Sequence, residues 1–413
     1  MYQGGCSMSE SISPEQVGFS TERLARIGAV MQRYVDEKKI AGIIATVARR
    51  GQMVYREKFG YADVEAAAPM QLDTIFRIMS MTKPVTSIAA MMLYEEGWFD
   101  LNTFVYEFIP AFKDLRVYAG PAGLSYDTVP LKQHVTFRHL FTHTSGLSYG
   151  GQTFDPIDAI YQKGGVDLLQ FYGPGSSLGN KELVEALVKL PLAFQPGTQW
   201  RYSLSIDVLG HLVELISGKP LDVFLRERIF EPLGMTDTDF YVPEAKLSRL
   251  AKLYTTPPDG AGLTPLSFPI HTSRPSWLMG GGGLASTLSD YGRFAQMLVN
   301  GGELDGARLL SPRTVALMEM NQAPAAAMPY EQRTGILKNS GYGFSLGMRV
   351  LTDVGASGRA GSVGEFGWDG AFATYFWIDR KEALYGQLMM QHQAWSFPIH
   401  EQFKALTYQA LID

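Results

Sequence analysis

Ser80 and Lys83 stand three residues apart, directly before a segment that carries no charge from Pro84 to Tyr94. If the segment is a helix, positions i and i+3 lie on one face, so the hydroxyl and the amine can meet. Apolar residues cover most of its circumference, so the helix should be buried and the Lys83 ammonium should be poorly solvated. A desolvated lysine beside a serine can act as a general base that activates the hydroxyl.

Pro84 bears on where this helix begins. Because proline removes an early helical hydrogen bond, it is tolerated only in or near the first turn, which predicts a helix that starts close to Ser80. The spacing alone also allows a structural role, with Ser80 as an N-cap and Lys83 extending to solvent. Features further along the chain favour the catalytic interpretation.

Tyr202 is the second candidate, because it directly precedes a helix predicted to begin near Ile206. A tyrosine at the start of a helix can approach Lys83 from the side opposite Ser80. It could then transfer a proton between Ser80 and a leaving group. Taken alone, Tyr202 is one of 20 tyrosines and equally fits a core or surface aromatic.

The third candidate is the segment Phe366–Ala373, in which Gly367 and Gly370 flank Trp368 and Asp369. Glycines let a backbone come close to a substrate, and an N–H there can join the N–H of Ser80 in an oxyanion hole. Alone, the segment is equally typical of a β-bulge or a turn between two strands.

In combination these motifs resemble the serine hydrolases of the class C β-lactamase and D-Ala-D-Ala carboxypeptidase fold, and most of all the family VIII carboxylesterases. Ser80-Met81-Thr82-Lys83 matches the Ser-x-x-Lys motif, and Tyr202 matches the tyrosine of Tyr-x-Asn. Trp368-Asp369-Gly370 stands in place of Lys-Thr-Gly. The resemblance runs from about Ser20 to the C-terminus, with supporting stretches at Leu140–Leu147, Pro196–Thr198, Glu231–Met235 and Gly280–Leu284.

The resemblance implies a serine carboxylesterase that hydrolyses short-chain esters through an acyl-enzyme, with a small-molecule ester as its partner and with no metal or organic cofactor. It implies that Ser80 is the nucleophile and that Lys83 and Tyr202 move the proton. The N–H groups of Ser80 and Ala371 would form the oxyanion hole. The residues expected to contact the substrate are Trp368, Gly370 and Tyr149.

Two departures from the β-lactamase pattern favour an esterase. Leu204 stands where asparagine is usual, so support for the lysine must come from elsewhere, with Ser205 as a candidate. Trp368 stands where β-lactamases keep Lys or His, and an aromatic plane there favours an uncharged, apolar group. We therefore expect Trp368 to form a wall of the substrate pocket. β-lactamase, amide hydrolase or peptidase, and acyltransferase activities remain alternatives on the same fold, and a non-catalytic binding protein is a further one.

Two other patterns are judged not to mark the site. Gly343–Gly347 satisfies Gly-x-Ser-x-Gly, but Ser345 lies inside a strand-like run and not at a strand-to-helix turn. His139 and His143 are spaced i,i+4 without the glutamate of a zinc helix, so no metal site is expected. The four glycines 280–283 fit either a linker or a permissive turn beside the site.

Composition limits the function classes. The chain has 413 residues, 46% hydrophobic residues, a net charge of -5 and no basic stripe, which argues against nucleic acid as a partner. No stretch approaches the ~18 apolar residues of a membrane span, and the first residues lack the pattern of a secretion signal. A cytoplasmic protein is therefore expected, with residues 1–9 as a disordered leader. Cys6 in that leader is the only cysteine, which excludes an internal disulfide.

Hydrophobic periodicity predicts an α+β fold in which both chain ends build one antiparallel sheet. Residues 10–79 and 278–413 form this sheet domain with terminal helices on it, and residues 80–277 form an inserted all-helical domain. The predicted strands are Ile43–Ala48, Met53–Phe59, Tyr342–Val350, Ser362–Trp368, Ala371–Ile378 and Leu384–Gln391. The predicted helices are Ser20–Lys38, Lys181–Lys189, Ile206–Ile216, Leu221–Ile229, Leu288–Val299 and Glu401–Leu411. Two long segments, Tyr118–Pro130 and Gly150–Gly179, are expected to be loops that line a site.

Overall fold

The central sheet joins strands from the two ends of the chain. The structure, a computed structural model, describes residues 13–120, 126–151, 155–166, 176–257, 262–330, 340–393 and 397–413. Eight antiparallel strands form the sheet. In their order across it they are Tyr342–Phe344 (β12), Arg349–Leu351 (β13), Phe366–Asp369 (β14), Tyr375–Asp379 (β15), Leu384–Met389 (β16), Gly42–Arg49 (β1), Gln52–Asp63 (β2) and Ala68–Pro69 (β3). This confirms the predicted α+β class with an antiparallel sheet.

The pairing of β1 with β16 lies inside this sheet and joins the two ends of the chain. Ile44 is opposite Met389, and the register continues to Arg49 opposite Leu384. Every residue of β1 is buried, as expected for a strand that is covered on both faces. The first and last thirds of the chain therefore share one core.

Helices cover both faces of the sheet. Alternate residues of a strand point to opposite faces: Tyr375 and Trp377 pack with the terminal helices Thr21–Asp36 (α1) and Ile399–Tyr408 (α12). Phe376 and Ile378 belong to the larger core on the other face. The α-helices between α1 and α12 in the described residues are Thr82–Glu95 (α2), Phe137–Phe141 (α3), Pro156–Lys163 (α4), Asn180–Leu187 (α5), Ser205–Ser217 (α6), Leu221–Leu225 (α7), Glu231–Leu233 (α8), Leu288–Val299 (α9), Pro312–Met318 (α10) and Val354–Ser357 (α11).

Four small two-stranded ladders lie outside the central sheet in the described part of the chain. The one that positions the site pairs Ile75–Arg77 (β4) with Ala285–Thr287 (β9). The others are Arg116–Gly120 (β5) with Asp127–Pro130 (β6), Tyr254–Thr255 (β7) with Thr264–Pro265 (β8), and Glu303–Leu304 (β10) with Ala307–Arg308 (β11).

Several predicted boundaries were wrong. The run Tyr342–Val350 is two strands, because residues 345–348 turn between β12 and β13. The strand predicted from Ala371 begins only at Tyr375, since residues 370–373 form the turn between β14 and β15. The segment Tyr118–Pro130 contains part of the β5–β6 hairpin, and Gly150–Gly179 contains α4. The rest of these two segments, residues 121–125, 152–154 and 167–175, and the leader with Cys6 lie outside the described residues. The proposed domain boundaries stay a prediction.

No helix in the described part of the chain is both long and apolar enough to cross a bilayer. Among the same residues, no group of three or more His, Cys, Asp or Glu side chains is arranged to hold a metal ion.

A buried ion pair fixes α12 to the strand that carries Trp368. Lys404 on α12 donates to Glu365, which directly precedes β14, and their side chains are 4% and 3% exposed. Tyr342 and Tyr408 contribute further hydrogen bonds to the pair. Removing one member leaves the other charge buried and unpaired.

Lys404→Met is therefore expected to lower the free energy of unfolding by about 3–5 kcal/mol, measured by urea denaturation. The matched control is Lys181→Met, because Lys181 forms a solvent-exposed pair with Glu185 at 3.8 Å. That control should cost less than about 1 kcal/mol. Similar losses for both variants would contradict a stabilising role of the buried pair.

Candidate active site

Ser80 lies in a tight turn between β4 and α2. A single 3-10 turn, Met79–Met81, leads into α2, so the α-helix begins at Thr82 and not at Ser80 itself. Met79 has a φ of 46°, a left-handed conformation that costs a non-glycine residue roughly 1–2 kcal/mol. Backbone hydrogen bonds from Ile78 to Leu284 and from Met81 to Ile78 hold the turn. The left-handed conformation of Met79 therefore places Ser80 directly before the first turn of α2.

Lys83 extends toward Ser80 as its spacing predicted. Its Nζ donates to Ser80 Oγ at 3.1 Å and to the Gly281 carbonyl at 2.6 Å. Lys83 itself is fully buried, and so is every residue of α2 from Thr82 to Leu93. Burial lowers the Lys83 pKa to about 7, although the carboxylates of Asp207 and Asp369 oppose this shift. The amine is therefore largely unprotonated at slightly alkaline pH.

The four glycines 280–283 form the turn that receives Lys83. None of them has a positive φ, so the reason for glycine is close approach rather than conformation. A Cβ on Gly280 would lie 3.1 Å from the Ile206 carbonyl oxygen, one on Gly281 would lie 2.5 Å from Asp207 Oδ2, and one on Gly283 would lie 2.8 Å from a ring atom of Phe240. Of the two sequence interpretations, the structure fits the turn beside the site.

Tyr202 reaches Ser80 and Lys83 from the opposite side. Its ring centroid is 4.4 Å from Lys83 Nζ, and its phenol lies near enough to Ser80 for that hydroxyl to influence its pKa. Burial raises the Tyr202 pKa above its usual value, while hydrogen bonds from Ser80 and Trp368 oppose that shift. The phenol is thus protonated at neutral pH and available as a proton donor.

Trp368 holds the Tyr202 hydroxyl. Its Nε1 donates to Tyr202 Oη at 3.2 Å, and the two rings are 5.8 Å apart. The Trp368 side chain has no exposed surface. In this structure it contacts Tyr202, and the substrate contact and pocket wall expected from the sequence stay a prediction.

The turn between β14 and β15 lies against the Ser80 segment. Gly370 is buried so closely against it that a Cβ would be 2.4 Å from the Ile78 carbonyl oxygen. Thr374 Oγ1 also donates to this oxygen at 3.2 Å. Ala371 is exposed at the tip of the turn.

Tyr149 and the residues around Leu204 complete the surroundings of Lys83. The Tyr149 ring centroid is 5.5 Å from Lys83 Nζ, and its side chain is only 3% exposed. Leu204 is fully buried at the N-terminus of α6. Ser205 hydrogen-bonds Ser145 and Ser203 rather than Lys83. The lysine is held instead by the Gly281 carbonyl.

Ser345, His139 and His143 have hydrogen-bond partners other than Ser80, Lys83 and Tyr202, although the His143 ring lies 4.8 Å from that of Tyr202. Ser345 is fully buried in the turn after β12, where its Oγ lies 3.4 Å from the Leu317 carbonyl oxygen. His139 Nδ1 accepts from the Thr136 N–H at the start of α3, and His143 Nδ1 is 3.1 Å from Ser203 Oγ. The two histidines therefore have different partners.

Sequence reasoning did not single out Asp207. Asp207 lies in the first turn of α6, is 1% exposed, and accepts a hydrogen bond from the Gly281 N–H at 3.0 Å. Burial raises its pKa to about 6, and the Lys83 charge opposes this shift. A single acidic residue inside the apolar run Ile206–Leu209 is the sequence signal that could have identified it.

Comparison with known proteins agrees with this geometry. The Beta-lactamase family model matches residues 27–409 of the chain. The chain belongs to the Beta-lactamase family. It is 30% identical to esterase EstB of Burkholderia gladioli over 397 residues, which cover 91% of this chain and 92% of that protein. It is 36% identical to protein Rv1367c of Mycobacterium tuberculosis, with 88% and 89% coverage.

Among solved structures, the chain resembles EstCE1, described as a hydrolase with promiscuous acyltransferase activity. The TM-score is 0.80 at 26% identity, and the match covers 94% of this chain and 99% of that one. The resemblance inferred from the motifs, including its esterase branch, is confirmed by these relatives.

The close contact at Gly281 gives a direct test of the turn. Gly281→Ala should lower the free energy of unfolding by about 1–3 kcal/mol, because the new methyl group must displace the Asp207 carboxylate or the turn itself. Gly355→Ala on α11 is the control, since its Cβ would meet nothing closer than 3.4 Å. Urea denaturation measures both variants. Equal stability of Gly281→Ala and the parent protein would show that the turn has room for a side chain.

Proposed function

We propose that the protein is a serine carboxylesterase that hydrolyses short-chain esters through an acyl-enzyme on Ser80. The observation that carries the proposal is the contact of Lys83 Nζ with Ser80 Oγ, together with the Tyr202 ring 4.4 Å from the same Nζ. A buried amine with a pKa of about 7 is a competent base at neutral pH. The esterase EstB among the relatives supports the ester as substrate class.

Acylation begins when Ser80 Oγ attacks the ester carbonyl carbon. The Ser80 proton passes to the unprotonated Lys83 Nζ, which lies 3.1 Å away. As the carbon–oxygen bond to the alcohol breaks, the departing oxygen takes a proton from Tyr202. Tyr202 is then reprotonated from Lys83, so the step yields acyl-Ser80 and a neutral alcohol.

The negative charge on the carbonyl oxygen needs donors that are fixed before the reaction. We assign this role to the N–H groups of Ser80 and Ala371. The contact of Gly370 with the Ile78 carbonyl supports the assignment, because it brings the Ala371 turn beside the Ser80 turn.

Deacylation repeats the same steps with water as the nucleophile. An alcohol that enters in place of water would give acyl transfer instead, with the same residues in the same roles. This second activity is supported by the acyltransferase activity described for EstCE1. The ratio of hydrolysis to transfer then depends on which acceptor reaches the acyl-enzyme.

The charges around the site favour uncharged substrates. Arg349 lies behind Trp368, with its guanidinium 5.9 Å from the Trp368 ring, and it is bound to Asp369 at 3.1 Å. Its charge is therefore neutralised and is not presented to a substrate carboxylate. This arrangement supports an ester substrate over a β-lactam acid. Trp368, Gly370 and Tyr149 are the proposed substrate contacts.

Ser80→Ala is expected to abolish turnover of p-nitrophenyl butyrate. Mass spectrometry should detect an acyl adduct on the parent protein and none on the variant. Ser345→Ala is the matched control, because it removes the hydroxyl of the other serine motif and should keep most of the activity. The folded state of both variants is checked by circular dichroism. Substantial activity in Ser80→Ala, or its loss in Ser345→Ala, would refute the assignment.

The pH dependence tests the Lys83 assignment. Because the base must be unprotonated, kcat/KM should rise with pH to a plateau above a midpoint of about 7, and it should fall about tenfold per unit well below that midpoint. Lys83→Arg keeps the positive charge but cannot release its proton, so it should lose the activity over the whole range. A midpoint near 10 would contradict a desolvated lysine as the base.

A further inference from the structure

Asp207 is a buried carboxylate for which the mechanism above has no role. It is 1% exposed and lies on α6 beside the Gly281 turn. Its Oδ1 accepts from the Gly281 N–H, whereas its Oδ2 has no hydrogen-bond partner among the described residues. Burying a carboxylate oxygen without a partner is costly, so a nearby positive charge must compensate.

The Gly281 turn links this carboxylate to the lysine. Gly281 donates its N–H to Asp207 and accepts from Lys83 Nζ through its carbonyl. The absence of a side chain at Gly281 allows the close approach, because a Cβ would lie 2.5 Å from Asp207 Oδ2. One residue therefore contacts the base on one side and the carboxylate on the other.

We infer that Asp207 is a positioning residue for Lys83. It anchors the carbonyl that directs Lys83 Nζ toward Ser80, and its negative charge sets how strongly Lys83 holds a proton. The inference rests on the proposed function, since it matters only if Lys83 is the base that activates Ser80.

The other titratable groups near Lys83 do not supply this charge. Asp369 is bound to Arg349, so its effect on Lys83 is partly cancelled. Burial raises the pKa values of the Tyr149 and Tyr202 phenols, and it lowers the pKa of the His143 imidazole, so all three are neutral near pH 7. Asp207 forms no salt bridge within the described part of the chain, apart from its charge interaction with Lys83.

The sign of the effect follows from the charge. The ionised Asp207 carboxylate raises the Lys83 pKa, and it thereby opposes burial, which is the larger effect and lowers it. Removing the carboxylate charge should therefore lower the Lys83 pKa further. Ser80 would then stay reactive to lower pH, but the plateau would be lower because Lys83 becomes a weaker base.

The test measures how fast a fluorophosphonate probe labels Ser80 as a function of pH. In that reaction Ser80 Oγ bonds to phosphorus, fluoride leaves, and the serine proton passes to Lys83. Mass spectrometry locates the label. Asp207→Asn removes the charge but keeps an acceptor for the Gly281 N–H, whereas Asp207→Ala removes both.

For Asp207→Asn we expect the midpoint of labelling to fall by about one pH unit or more, as for loss of an opposite charge close by. Asp207→Ala should show the same shift and roughly tenfold slower labelling at the plateau than Asp207→Asn, because the Gly281 N–H then also loses its hydrogen-bond acceptor. Asp290→Asn is the matched control, since Asp290 is a buried carboxylate in the first turn of α9 that binds the Asp237 N–H and Thr238. Its midpoint should stay at the parent value.

If folded Asp207→Asn is labelled on Ser80 with an unchanged midpoint, the inference is overturned but the proposed function is not. An equal shift in Asp290→Asn would also overturn it. A label on a residue other than Ser80 in the parent protein would instead refute the proposed function, and the inference with it.

A measurement on the parent protein covers the case in which the Asp207 variants do not fold. Nuclear magnetic resonance with carbon-13 labels in Asp and Lys follows both groups as the pH changes. The chemical shift of the Asp207 carboxyl should show a second, smaller titration step at the pH where Lys83 titrates. A single Asp207 step without any change at the Lys83 midpoint would overturn the inference.

Discussion

The free energy of placing the Lys83 ammonium in the protein interior is the constraint on which the site depends. An isolated buried charge costs several kcal/mol. Two effects reduce this cost: the Lys83 pKa is lowered, and nearby negative groups stabilise the ammonium when it is protonated. The buried helix α2 supplies the first effect, and the Gly281 carbonyl and the Asp207 carboxylate supply the second. The result is an amine that changes charge state near neutral pH.

The parts of the site that the sequence predicted are those within one local segment or within a motif. Ser80 and Lys83 are three residues apart, so helical geometry alone brings them together. Tyr202 and the Trp368–Gly370 segment were candidates from local patterns that also fitted structural roles, and the family resemblance decided for a place in the site. Their mutual contacts depend on how α6 and β14 pack, and spacing along the chain carries no information about that packing.

Asp207 was missed from the sequence, and the glycine run 280–283 was left as either a linker or a turn beside the site. The structure decides for the turn, because a side chain at Gly281 or Gly283 would collide with a neighbour. That exclusion is set by residues far away in sequence, such as Asp207 and Phe240. The errors in the predicted strand boundaries had a similar origin. The residues after Phe344 and after Asp369 are apolar enough for strands, but hydrogen bonds across each turn reverse the chain there.

The pairing of β1 with β16 has a consequence for how the protein is made. The central strand formed near the start of the chain must wait for a partner from near the end, so the sheet can be completed only late in synthesis. Long-range pairing of this kind slows folding and leaves apolar surface exposed in the meantime. Ser80, Lys83 and Tyr202 are all synthesised before β14 supplies Trp368 and before the turn with Ala371. A nascent chain therefore carries the proposed nucleophile and its proposed base long before it has the strands that complete the site.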